Sequence, residues 1–265
     1  MSIAVEIAIE DLMGLDVAAK AGADRVELCI ELERGGITPP PDLVEESVRR
    51  ASALVAAREA KPHFDVHVLI RSRAERGDFL DHPEEFVYSQ DEVELMTRQA
   101  RDSVTAGAAG VVIGALTASG ELDVPAIESI RDGALTAGSR ALRGITLTAH
   151  RAVDALPGRP EREHAVRTLL GLGVHRVLSS GGAGRALDGA EDLAAMVDAV
   201  EGLLDICAGG GVRPADLVDL ARRSGVPDVH LSARRRAGAP VEACAPETRT
   251  DPAIVAAAVD AAGGL

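Results

Sequence analysis

Acids, bases and cations recur two residues apart inside otherwise apolar runs of this chain, the spacing that puts side chains on one face of a β-strand. Arg25, Glu27 and Cys29 alternate with Val26, Leu28 and Ile30, and His67, Leu69, Arg71 and Arg73 oppose Val66, Val68 and Ile70. Thr146, Thr148 and His150 repeat the pattern, Glu6 lies in the first apolar run, and His230 and Ser232 lie in the last. Charged side chains turned inward together are costly unless they compensate one another or face water. Glu6, Glu27, His67, Arg71, His150, Arg151 and His230 are therefore expected to converge on one wet cavity. In such a cavity Glu6 and Glu27 suit the roles of general acid and base, His150 that of a proton relay, and Arg71 and Arg151 that of holding an anionic group.

Glycine adds a second signal. Ser179-Ser180-Gly181-Gly182 and Gly209-Gly210-Gly211 follow two of the apolar runs, and without side chains their backbone N–H groups can approach a ligand closely. Ser180, Gly181, Gly209 and Gly210 thereby join His67, Arg71, His230 and Ser232 as candidate substrate contacts. No G-x-G-x-x-G opens a helix after a strand and no P-loop occurs, which excludes a Rossmann or NTPase reading. Carboxylate and imidazole also suit Mg²⁺, Mn²⁺ or Zn²⁺, although H-E-x-x-H is absent.

These residues need a scaffold that brings many strand ends together. Eight short apolar runs, IAVEIA, DRVELCI, FDVHVLI, GVVIGAL, GITLTAH, HRVLSS, LLDICAG and PDVHLSA, alternate with amphipathic stretches such as PDLVEESVRRASALVAAREA and DEVELMTRQARDSVTAG. Repeated βα units imply a parallel sheet, and eight of them imply an α/β (β/α)8 barrel, a single domain over residues 1–265. Several helical stretches end in glycine before the next strand, at AGADRVEL, AGAAGVVI and LGLGVHRVL. Two long loops, RSRAERGDFLDHPEEFVYSQ and ARRRAGAPVEACAPETRT, follow strands and so should lie on the functional rim, as a cover or as an oligomer contact.

Composition narrows the partners. With 46% hydrophobic but only 2% aromatic residues, the core must be built from aliphatic side chains. A net charge of −14 repels nucleic acid phosphates and anionic membranes. The amino terminus MSIAVEIAIEDL carries acids where a secretory signal carries bases, so a cytoplasmic location is expected. Three widely spaced cysteines, Cys29, Cys207 and Cys244, form neither a disulfide framework nor a structural zinc site.

In order along the chain, VEI at Val5, GADRVELC at Gly22, GGITP at Gly35, VHVLIRSR at Val66, GDF at Gly77, HRAVD at His150, RVLSSG at Arg176, AGGGV at Ala208 and VHLSA at Val229 resemble the CutC family. That resemblance implies a cytoplasmic, homodimeric (β/α)8 barrel. Glu6, Glu27, His67, Arg71, His150, Arg151, Asp154, Ser180, His230 and Ser232 would sit at family rim positions. It further implies copper homeostasis, with Cu(I) held by cysteines on the first two strands; here these positions are Ala8 and Cys29. Cu(I) prefers thiolates, so the ligand set is reduced to Cys29 with His67 or a methionine beside it. Two functions follow from the residues and the resemblance: a copper-binding protein, or a lyase, isomerase or hydrolase acting on a small polar or anionic metabolite such as a sugar derivative. A purely structural role fits the inward charges least.

Overall fold

A computed structural model describes residues 3–75, 78–234 and 250–264. Eight parallel strands close into a barrel in sequence order, from β1 (Ala4–Ile9) through β2 (Arg25–Leu28), β3 (Asp65–Leu69), β4 (Gly110–Ile113), β5 (Thr146–Ala149), β6 (Arg176–Ser179) and β7 (Asp205–Gly209) to β8 (Asp228–Leu231). β8 pairs with β1, with Glu6 opposite His230, and β1 pairs with β2, with Ala8 opposite Glu27. Each of the eight apolar runs supplies one strand, shifted by one residue in β1 and trimmed by a residue or more in the other seven. A (β/α)8 barrel is thus the fold of the described chain.

Helices α1 (Leu12–Lys20), α2 (Pro41–Ala56), α3 (Gln90–Thr105), α4 (Val124–Arg140), α5 (Arg159–Gly171), α6 (Ala190–Val200), α7 (Leu217–Ser224) and α8 (Pro252–Gly263) cover the outside. Their starts are encoded locally: Asp11, Asp123 and Asp251 accept hydrogen bonds from first-turn N–H groups, and Ser89 with Glu92 forms a capping box. The main core lies between sheet and helices, where Ile7, Val26, Leu28, Val68, Val111, Ile113 and Leu147 meet Leu15, Met96, Ile127, Ile130 and Leu169. Emptying one such site, as in Leu169→Ala, costs about 2–5 kcal/mol. Because that parity is committed to the helices, the other parity must fill the barrel, and there the polar residues gather.

The two long loops differ in what is described. Residues 78–90 carry a 3-10 turn, Pro83–Phe86, and bring Phe79 and Phe86 over the barrel mouth; of the GDF stretch, Gly77 lies outside the described residues. Arg73 turns away from the mouth, pairing with Glu92 at the start of α3 and stacking on Tyr88 at 4.7 Å. In the second loop Arg234 bridges to Thr250, and residues 235–249, Cys244 among them, lie outside the described residues.

Candidate active site at the carboxyl rim of the barrel

Inward parity turns out to specify two layers. The deeper one centres on Glu6, whose carboxylate accepts hydrogen bonds from Arg25 Nε (2.9 Å), Arg176 Nη1 (2.9 Å) and His230 Nδ1 (2.8 Å). Arg176 also donates through Nε to Asp228 (2.8 Å), and Arg25 pairs with the same aspartate. Burial alone would raise the Glu6 pKa, but Arg176, His230 and Arg25 outweigh it and hold the carboxyl well below its usual range. His67 sits here too, with Nδ1 3.5 Å from Arg176 Nη1, and burial pushes it down to about 3, so it stays neutral. Glu6 and His67 do not line the cavity above; a residue of inward parity near the start or middle of its strand ends up below the mouth.

The upper layer surrounds a cavity of about 360 Å³ lined by Ala8, Glu27, Arg71, His150, Arg151, Gly210, His230 and Ser232, with Leu69, Phe79 and Phe86 among its apolar walls. Glu27 forms part of its floor. Its Oε2 has no hydrogen-bond partner among the described residues, and burial, helped by the nearby Glu6 charge, raises its pKa to about 7 against the opposing pull of His230 and Arg176. The two glutamates therefore divide by depth: one is a fixed anion, the other is poised to exchange a proton near neutrality.

His150 lies on the β5 side of the mouth. Burial and the Arg71 charge lower it to about 3, so its ring is neutral. Its Nδ1 accepts a hydrogen bond from Ala152 N (3.2 Å), which assigns the ring proton to Nε2, an atom with no partner at hydrogen-bond geometry among the described residues. Space for this ring comes from Gly114, where a Cβ would stand 2.6 Å from the imidazole. Arg71 donates through Nη1 to Glu75 (2.9 Å) and lies 4.9 Å over Phe86. Arg151 donates to Asp154 (2.8 Å) and Ser180 Oγ (2.8 Å) and stacks on Phe79 at 4.8 Å. Gly210 permits that position, since a Cβ there would come within 2.8 Å of the guanidinium carbon.

Asp154 has a different place from a substrate contact. Its carboxylate accepts hydrogen bonds from Ser179 Oγ (2.5 Å), Ser180 N (2.9 Å), Ser180 Oγ (3.0 Å) and Gly182 N (3.1 Å) as well as Arg151. The backbone cradle after β6, which resembles an anion site, is thereby filled by the chain's own aspartate. Asp154, Ser180 and Gly181 do not line the cavity, and neither does Gly209, which packs against Leu178. Gly210 and Gly211 do.

Copper ligands are a separate matter. Cys29 is fully buried among Leu69, Val112 and Leu32, off the cavity lining, and its Sγ approaches Ile9 O at 3.7 Å. Burial, reinforced by Glu27, pushes the thiol far up, so Cys29 is a neutral thiol in the metal-free protein. With alanine at position 8 and Cys29 off the lining, no sulfur lines the cavity among the described residues, and these do not fit a Cu(I) site. Glu6, Glu27 and His230 each bring one ligand atom within 4.8 Å of the others, but Glu6 is already satisfied by two guanidiniums that a divalent cation would have to displace.

Two residues outside the candidate set, Arg176 and Asp228, anchor the deeper layer. Arg176 was within reach, since it lies four residues before Ser180 in the same phase; Asp228 is likewise two before His230. Glu75, Phe79 and Phe86 carried no periodic signal, because they come from the long loop after β3.

The molecule is an eight-stranded parallel barrel with an acid, imidazoles and guanidiniums converging at the carboxyl ends of its strands. Residues 3–235 match the CutC family model, and the chain belongs to that family. A CutC family protein of Agrobacterium fabrum is 36% identical over 228 residues, covering 86% of this chain and 78% of its own; one from Caulobacter vibrioides is 35% identical with 86% and 80% covered. A solved CutC structure from Streptococcus agalactiae, whose description attaches copper homeostasis to that protein, superposes with a TM-score of 0.73 at 26% identity, over 87% of this chain and 98% of the other. Phosphoribosylanthranilate isomerase from Pyrococcus furiosus, at 13% identity and a TM-score of 0.57 over 99% and 100% of the two chains, shares the fold. None of the described helices is long and apolar enough to cross a membrane.

Proposed function

We propose that this chain is an enzyme that moves protons on a small polar, anionic metabolite held in the rim cavity. One observation carries the reading: Glu27 is buried at the cavity floor, its Oε2 has no partner among the described residues, and burial raises its pKa to about 7, where a general acid or base works best. His150 suits the role of a neutral donor to an oxygen that gains negative charge. Arg71 and Arg151, held rigid by Glu75, Asp154 and two phenylalanine rings, suit an anionic substituent. Glu6 takes no part as acid or base, because its charge is fixed by Arg25 and Arg176. A cavity of about 360 Å³ suits a metabolite rather than a macromolecule. By family resemblance the proposal extends to a cytoplasmic homodimer, which sedimentation would check.

The test is a panel of sugar phosphates, aldoses, ketoses and hydroxy acids incubated with the protein in D2O, with C–H exchange followed by proton NMR. Exchange on one of them, lost about 10²–10⁴-fold in Glu27→Gln, is the expected result. An unchanged rate in that folded variant contradicts the proposal. Copper handling, the reading attached by name to the Streptococcus agalactiae relative, predicts instead that Cys29→Ser loses Cu(I) retention under reducing conditions. The geometry around Cys29 favours equal retention by both proteins.

A further inference from the structure

His230 is the other titratable side chain that reaches from the deeper layer into the cavity. Its Nδ1 lies 2.8 Å from Glu6 Oε1, and Glu6 is itself gripped by Arg25 and Arg176, so the ring is oriented by a carboxylate that cannot move away. With Nδ1 engaged by Glu6, Nε2 is the ring nitrogen that remains to face another group. His230 lines the cavity, and its ligand atom stands within 4.8 Å of one on Glu27. Around it lie Glu6 from β1, Glu27 and Arg25 from β2, His67 from β3, Arg176 from β6 and Asp228 from its own strand. Opposite a histidine held in this way, a carboxylate and an imidazole can exchange one proton between them.

We propose that His230, oriented by the fixed Glu6 carboxylate, acts beside Glu27 as the second proton carrier of the cavity, making the reaction an isomerisation of an α-hydroxy carbonyl compound. The inference rests on the acid–base reading of Glu27. In the forward half, the Glu27 carboxylate takes the proton from the carbon next to the carbonyl. The C–H electron pair becomes the new C=C bond, the carbonyl π pair moves to oxygen, and that oxygen takes the Nε2 proton of His230. In the second half, the neighbouring hydroxyl returns its proton to His230, its O–H electrons form the new carbonyl, and Glu27 delivers its proton to the former carbonyl carbon. Both groups end as they began, and no oxidant or reductant is consumed. Burial disfavours a charged His230, yet Glu27 and Glu6 together raise its pKa and keep the proton available.

Protein carrying ¹⁵N-labelled histidine, titrated from pH 5 to 9, tests the pair without any substrate. In the wild type His230 should keep its Nδ1 proton throughout and lose the Nε2 proton, and Glu27→Gln should weaken its proton affinity by about tenfold. A His230 midpoint that Glu27→Gln leaves in place, or an Nδ1 that lacks a proton at pH 9, overturns the pairing. In D2O with glyceraldehyde, erythrose 4-phosphate and ribose 5-phosphate as probes, His230→Gln should lower C–H exchange by about 10²-fold or more. Loss in Glu27→Gln but not in His230→Gln removes this inference and leaves the Glu27 reading standing. Loss in neither variant removes both, and no exchange by the wild type on any probe overturns the reaction class.

Discussion

Glu6 and Glu27 share a side chain and an inward parity, and they differ because one meets two guanidiniums and the other meets none at hydrogen-bond distance among the described residues. The sign of each effect on stability follows. The folded pKa of Glu27, about 7, exceeds its unfolded value near 4.5, so the native state binds the extra proton and loses relative stability as pH rises between those values. Glu27→Gln should therefore stabilise the protein at pH 8 by roughly 1–3 kcal/mol and have little effect at pH 4, as read by urea unfolding at the two pH values. His67 and His150 act the other way: each is neutral in the fold with a pKa near 3, so the unfolded chain takes up protons as pH falls below about 6.5. His67→Gln and His150→Gln should each flatten the fall in stability between pH 6.5 and 4 by about one proton's slope. A fall as steep as in the wild type would place a charged imidazole in the native barrel. Alternating residue types told which side chains face inward, but not at what depth; Glu6, His67 and Arg176 differ from Glu27, His150 and Arg71 only by their level in the staggered barrel, which period-two spacing does not encode.

At the scale of elements, strands were legible because a strand buried on both sides must be short and apolar, while its inward residues announce themselves by being polar. The loops were less so. The segment after β3 covers the cavity with Phe79 and Phe86, and the cradle after β6 is closed by Asp154 from the loop after β5, a contact between segments that no local spacing records. Removing that carboxylate in Asp154→Ala should cost about 3–5 kcal/mol, since it strands Ser180 N, Gly182 N and a buried edge of Arg151 without partners. Thermal denaturation checks this, and a loss below about 1 kcal/mol would show the cradle is not held by Asp154. Gly114→Ala should destabilise by about 1–3 kcal/mol and turn the His150 ring, because the new methyl would sit 2.6 Å from it; a changed His150 ring shift in NMR is the direct readout.

For the whole molecule, the barrel separates two tasks along its axis. A compensated ionic layer built from Glu6, Arg25, Arg176 and Asp228 fills the lower interior, and a cavity lined by polar and apolar side chains occupies the mouth. Such a layer adds little net stability while intact but is costly to break. Arg176→Met should thus lower unfolding free energy by about 3–5 kcal/mol, and pairing it with Glu6→Gln should recover part of the loss. Through this layer the fold fixes the charge beneath Glu27, and the position of that one titration is what the functional account stands on. Carbon-13 NMR of glutamate carboxyl groups, with Glu27→Gln used to assign the signal, measures it directly. A midpoint near pH 7 is expected for Glu27; one in the ordinary glutamate range near 4.3 would rule out Glu27 as the proton carrier at neutral pH.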